Sequence, residues 1–210
     1  MKIFNYQAKA GFGVIFPTKT FVIEVNDKTL IISPSQIIAE DKSFRDLKHK
    51  DLIFIAPNNF HHMHLKTMKD IFPQAKFYGP KRSSRVSGVN LEDLNNLKLK
   101  EIKIIKLKGL KNLSESVFYL KQEKILIVTD LIFNMHHHMN LPTKLAMKLA
   151  GTYHKMGTSR LVLHSIKDKS IFKETLKELR ELDVKEVIPS HGESISQETF
   201  HKWISEMLEL

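Results

Sequence analysis

The stretch Ile125-Leu126-Ile127-Val128-Thr129-Asp130-Leu131-Ile132-Phe133 sets one carboxylate between two apolar runs. Its first four residues read as a core strand, because β-branched and aliphatic side chains suit a buried pleated surface. An aspartate enclosed in this way is costly to bury unless it is hydrogen-bonded, paired or bound to a cation. Asp130 therefore either caps a loop through backbone N–H groups or serves a cation. Two other apolar strands end in the same manner. Leu52-Ile53-Phe54-Ile55 runs into Ala56-Pro57-Asn58-Asn59-Phe60-His61-His62-Met63-His64, and Glu186-Val187-Ile188 runs into Pro189-Ser190-His191-Gly192-Glu193. In sheet-centred α/β folds, binding sites form beyond the carboxyl ends of strands. Taken singly, His61-His62 also reads as a pair of ordinary histidines at a helix start, and His191 as a turn histidine. Three strand ends of one kind favour the cation reading of Asp130. His136-His137-His138, in a loop before Pro142, reads as solvated surface.

Outward from these ends the pattern is one of strands alternating with helices. Phe12 to Phe16, Thr20 to Val25 and Thr29 to Ile32 read as short strands, the last two flanking a hairpin turn at Asn26-Asp27. A helical pattern follows Pro34 through Ile37, Ile38 and Phe44 to Leu47. Met63 to Phe72 reads as a helix stopped by Pro73, and Ala75 to Tyr78 as a strand. Glu101 to Leu107, Ser116 to Leu120 and Lys124 to Thr129 are further strands. Pro142 suits the first turn of a helix running to Ala150. Lys167 to Leu182 is amphipathic, with Ile171, Phe172, Leu176 and Leu179 on one face. Val184 to Ile188 is a strand, and Gln197 to Leu208 a closing helix. This order predicts an α/β or α+β domain. No linker or repeat divides the chain, so residues 1–210 read as a single domain.

Composition narrows the chemistry. The 210 residues contain no cysteine and eleven histidines. Disulfides, thiolate metal sites, iron–sulfur clusters and cysteine nucleophiles are excluded together. The net charge is +10, but lysine outnumbers arginine by 28 to 5. Nucleic-acid readers rely on arginine for bidentate contacts, so this surplus reads as solvated surface. The run Lys98, Lys100, Lys103, Lys106, Lys108 and Lys111 fits an edge strand guarded by lysines, with a nucleic-acid groove as the alternative. No apolar run approaches the roughly 20 residues that span a bilayer. The start lacks a basic region followed by a long apolar stretch, so the expectation is a cytoplasmic protein without a membrane partner.

The order of these motifs resembles the metallo-β-lactamase fold superfamily, from about Phe12 onward. That family has a strand running into a His-x-His-x-Asp-His loop, a Gly-His segment, a strand ending in a metal-bridging Asp, and a late strand followed by His. Here the loop is Pro57 to His62, and the Gly-His segment falls within Gly109 to Ser116. The bridging aspartate is Asp130 and the late histidine His191. The resemblance implies an αββα four-layer sandwich. It also implies that the family's first metal site is lost, since its histidines are replaced by Pro57, Asn59 and Asn112. The second site is kept as His61, His62, Asp130 and His191, with His61 standing where the family has aspartate.

Three imidazoles and one carboxylate suit zinc, iron or manganese and are too nitrogen-rich for magnesium or calcium. The expectation is a hydrolase with a single divalent transition metal, zinc foremost, which lowers the pKa of bound water to about 7. Asn59 and His64 are candidates for substrate polarisation or proton transfer. The alternatives are a non-catalytic metal- or ligand-binding protein of the same fold, and a nucleic-acid binder or nuclease. A small-molecule substrate is expected, of a class the sequence leaves open.

Overall fold

A computed structural model describes residues 1–9, 11–41, 44 and 51–210. It contains two five-stranded mixed sheets. The first has the order β1-β2-β3-β4-β5, formed by Lys2–Lys9, Ile15–Val25, Lys28–Ile32, Asp51–Ile55 and Lys76–Tyr78. The second has the order β10-β9-β8-β7-β6, formed by Ile195–Ser196, Glu186–Pro189, Ile125–Val128, Ser116–Leu120 and Ile102–Lys106. The α-helices among the described residues are α1 (Gln36–Glu40), α2 (Leu65–Ile71), α3 (Lys81–Ser87), α4 (Leu141–Ala150), α5 (Arg160–Ser165), α6 (Lys169–Arg180) and α7 (Gln197–Leu208). Contacts group the chain into two compact units, one of residues 1–6 and 19–99, the other of residues 7–18 and 100–210.

In the first unit β2 and β3 form the expected hairpin. Val25 pairs with Lys28, and Asn26 takes the left-handed conformation that a two-residue turn requires. Strands β3, β4 and β5 run parallel. Leu52 and Phe54 join a core with Val22, Ile31, Ile38, Leu65, Met68 and Phe72. Ile53 and Ile55 point the other way and are equally buried, as a strand covered on both faces demands. The helix expected from Met63 begins at Leu65, after a turn over residues 61–64. Of the Phe44 to Leu47 segment only Phe44 lies among the described residues.

In the second unit β6, β7 and β8 are antiparallel and β8 runs parallel to β9. The buried stripe Phe172, Leu176 and Leu179 of α6 packs with Phe200, Trp203 and Ile204 of α7 on Leu126, Val128 and Val187. Ile171, read from the sequence onto that stripe, is exposed, and Thr175 takes its place. Asp168, Asn140 and Ser196 cap α6, α4 and α7 by accepting a hydrogen bond from the backbone N–H three residues on. β6 is an edge strand, and Lys103 on it lies 3.0 Å from Glu178 of α6. That placement favours the guarded-edge reading of the lysine run.

Four elements depart from the sequence reading. β1 went unread although Phe4, Tyr6 and Ala8 alternate on its less exposed face, with Phe4 packed against the core. Gly11 to Gly13 is a single tight turn rather than strand, with Phe12 left-handed at its tip. The short helices α3 and α5 offer too few turns for a period to show.

Candidate metal centre

The parallel pairing of β8 and β9 places the two most informative residues side by side. Val128 pairs with Pro189. Asp130 and His191 each lie two residues beyond that pair, so they leave the sheet in register. His191 Nε2 stands 3.2 Å from Asp130 Oδ1, and both residues are buried. The other ring nitrogen, His191 Nδ1, donates to the carbonyl of Pro17 at 2.9 Å, and the Phe133 ring stacks on the imidazole at 5.0 Å. A neutral ring that donates from Nδ1 turns its Nε2 lone pair toward the carboxylate. Two acceptors at that distance repel unless a proton or a cation lies between them. The segments behind them are laced together. Asn134 N–H donates to the His191 carbonyl and Glu193 N–H to the Asn134 carbonyl, at 2.9 and 2.8 Å.

Glu115 holds Asp130 from behind. Its fully buried carboxylate accepts the Thr129 N–H at 2.7 Å and the Asp130 N–H at 3.1 Å. The backbone donors of this turn are thus satisfied by Glu115, and the Asp130 side chain stands against His191. Burial, and after it the Asp130 charge, push the Glu115 carboxyl up to about 8, against the two N–H bonds that favour its charged form. The sequence reading passed over Glu115. Its only signal was an acid immediately before the strand Ser116 to Leu120.

A pH dependence follows. The folded value lies above the ordinary 4.5, so the folded chain keeps a proton that the unfolded chain releases. The stability this proton brings is complete below about pH 4.5 and is lost as the pH rises through about 8. In chelator-treated protein the melting temperature is expected to fall from about pH 5 to about pH 8. The slope is expected to shrink in Glu115→Gln; equal slopes in the two proteins overturn this.

In the first unit His61 and His62 occupy the turn beyond β4. His62 Nδ1 donates to the Asn59 carbonyl at 2.9 Å, which makes Nε2 the lone-pair nitrogen, the tautomer a metal ligand needs. His61 Nδ1 lies 2.6 Å from Ser33 Oγ. The turn is built by Asn58, whose side-chain oxygen accepts the N–H groups of Phe60 and His61, while Ser83 Oγ donates to the Asn58 carbonyl. Asn59 is buried. His64 precedes α2 with its ring edge-on to Tyr6 at 6.2 Å, and burial lowers its pKa. Asn112 is exposed. His136 and His138 are exposed and His137 is half-buried.

No protein-family model and no curated protein matches the chain. Solved structures do. A metallo-β-lactamase from Pontibacter korlensis superposes with a TM-score of 0.62 at 13% identity, covering 100% of this chain and 94% of that one. One from Hirschia baltica gives 0.63 at 12%, covering 98% and 92%. FIM-1 from Pseudomonas aeruginosa, in its mono-zinc form, gives 0.64 at 15%, covering 99% and 90%. At these identities the likeness is one of fold. It extends over nearly the whole of each chain, and two mixed sheets with their helices agree with it. The chain has the α/β fold of the metallo-β-lactamase superfamily.

Proposed function

We propose that this protein is a hydrolase working with one divalent transition metal, held by His61, His62, Asp130 and His191. The observation that carries the reading is the opposed pair in the second unit. The Nε2 of His191 and the carboxylate of Asp130 form an acceptor set that a cation completes. His62 contributes a ring in the ligand-ready tautomer. The donor set of three imidazoles and one carboxylate fits zinc, with iron and manganese as the chemically next choices. The mono-zinc form of FIM-1, a protein of the same fold, is in keeping with a single ion. A second ion of the same kind has poor prospects, since Pro57 has no ligating side chain and Asn59 and Asn112 are neutral amides.

The bound metal supplies Lewis acidity and activates water near neutral pH. The chain's own residues do the rest. Pro17 fixes the His191 ring through its carbonyl. Glu115 fixes the Asp130 backbone. Asn59 polarises the substrate carbonyl or phosphoryl group, and His64 moves a proton at its ring nitrogen. The substrate is a small molecule bearing an ester, amide, thioester or phosphoester bond.

A chromogenic panel of ester, phosphodiester and lactam substrates tests the reading in zinc-, iron- and manganese-loaded protein. Turnover of one class, abolished by a chelator and restored by the metal, is the expected result. Stoichiometric metal with no turnover of any class points instead to a non-catalytic metal-binding role.

A further inference from the structure

The outer face of α4 is inverted relative to an ordinary surface helix. Leu141, Leu145 and Leu149 recur every fourth residue and are 59–78% exposed, while Thr143 and Met147 face inward and are buried. A four-residue spacing puts the three leucines on one stripe. Leu161 of α5 is likewise exposed, at 66%. α5 packs on α4, and the Arg160 guanidinium donates to the Leu149 carbonyl at 3.4 Å. At the other end stands Phe12. Asn140 Nδ2 donates to the Gly13 carbonyl at 3.0 Å, which ties the Gly11–Gly13 turn to the start of α4. Phe12 is left-handed, at φ +60°, and its ring is wholly exposed. A bulky residue held there costs of order 1 kcal/mol, an expense that marks functional sites more often than idle surface. Single exposed leucines are common in soluble proteins, but five large exposed apolar side chains on one helix and the two elements in contact with it are not.

The charges carried by these segments have one sign. From Leu131 to Lys167 the sequence contains no aspartate or glutamate and five lysines and arginines. Lys144 and Lys148 flank the leucine stripe, three residues after Leu141 and Leu145 respectively. The segment bearing Phe12 is equally free of acids, the first in the chain being Glu24. Apolar residues rimmed by basic ones are the signature of a surface that lies in the headgroup region of an anionic bilayer. A second copy of the chain fits less well, because a two-fold interface sets the same basic rim against itself.

We propose that Phe12, Leu141, Leu145, Leu149 and Leu161, with Lys144 and Lys148 beside them, form a face that docks the protein peripherally on anionic membranes. No helix among the described residues is long and apolar enough to cross a membrane, so this attachment is interfacial. The test is co-sedimentation of the full chain with phosphatidylcholine vesicles with and without about 30% phosphatidylglycerol. Binding is expected only with the anionic lipid, and is expected to drop at least about tenfold in 0.5 M salt, in Leu145→Ser/Leu149→Ser, in Phe12→Ser and in Lys144→Glu/Lys148→Glu. These side chains are on the surface, and an unchanged melting temperature shows that the variants fold. No binding by the native chain overturns the proposal, as does equal binding by the leucine and lysine variants. Sedimentation velocity supplies a further arm. A native dimer that the leucine variant dissociates assigns the face to a second copy and overturns the lipid reading. Vesicle binding that an added acidic polypeptide abolishes, with tighter capture of that polypeptide than of vesicles, also overturns it.

Discussion

Metal content falls from about one ion per chain to below about a tenth when Asp130 becomes alanine, as read by elemental analysis after dialysis against zinc. Asp130 brings the only negative charge to a donor set otherwise made of neutral imidazoles. Its loss removes charge compensation and one bond together. His191→Ala is expected to act as strongly, because it removes the nitrogen that the β8–β9 register aims at Asp130. His62→Ala reports on the first unit. His61→Ala is expected to act in the same way, since both imidazoles belong to the proposed ligand set. Removing one ligand from a four-ligand shell weakens affinity by at least about two orders of magnitude. Equal metal in the native chain and in all four variants ends the assignment. Circular dichroism separates loss of metal from loss of fold.

Gly192→Ala is expected to destabilise the protein by at least about 4 kcal/mol, or to prevent its accumulation as folded chain. Gly192 sits at φ +106°, where a side chain is strained. A Cβ there overlaps the Asn134 carbonyl and comes within 2.8 Å of Met135 N. Both obstacles are backbone, tied down by the Asn134–His191 and Glu193–Asn134 hydrogen bonds. The chain cannot yield without breaking the lacing that sets His191 opposite Asp130. Urea unfolding of Gly192→Ala beside Gly88→Ala is the comparison. Gly88 also has a positive φ, but nothing stands within 4 Å of its Cβ. A loss of about 1 kcal/mol is expected there, from backbone strain alone. Equal losses at the two glycines contradict the overlap argument.

The strands that carry the candidate ligands were legible because each is a run of aliphatic residues ended by a polar one. Burial on both faces of a sheet produces that pattern directly. The hairpin at Asn26 and the start of α4 at Pro142 were legible for a similarly local reason, since turn and first-turn chemistry is written in one or two residues. What escaped was non-local. Glu115 reaches its partners at Thr129 and Asp130 through the β7–β8 pairing, and no spacing along the chain announces a carboxylate that accepts N–H bonds fourteen residues on. The Pro17 carbonyl that orients His191 lies 174 residues away in sequence. Ile171 was misplaced because a helical period fixes a stripe only to within about one residue, and Thr175 fills the buried position by donating its hydroxyl to the Ile171 carbonyl. Phe12 was read as strand because apolar character alone does not distinguish a residue that is buried from one that is displayed.

The parallel register of β8 and β9 has an evolutionary consequence. Parallel neighbours cannot be joined by a tight turn, so everything from Leu131 to Lys185 is a crossover that must exist whatever it contains. Asp130 and His191 sit outside both its ends, and their mutual position is set by the sheet rather than by the length of what connects them. The loops of this crossover can therefore be lengthened or shortened while the pair stays where it is, since loop closure costs little with added length. A single residue inserted between Val187 and His191, by contrast, turns the imidazole to the opposite face of the sheet. Natural variation in length should accordingly be tolerated in the connecting loops of this crossover and not within four residues of His191. The fold thus separates a part that is free to acquire new surfaces from a part that keeps one chemistry.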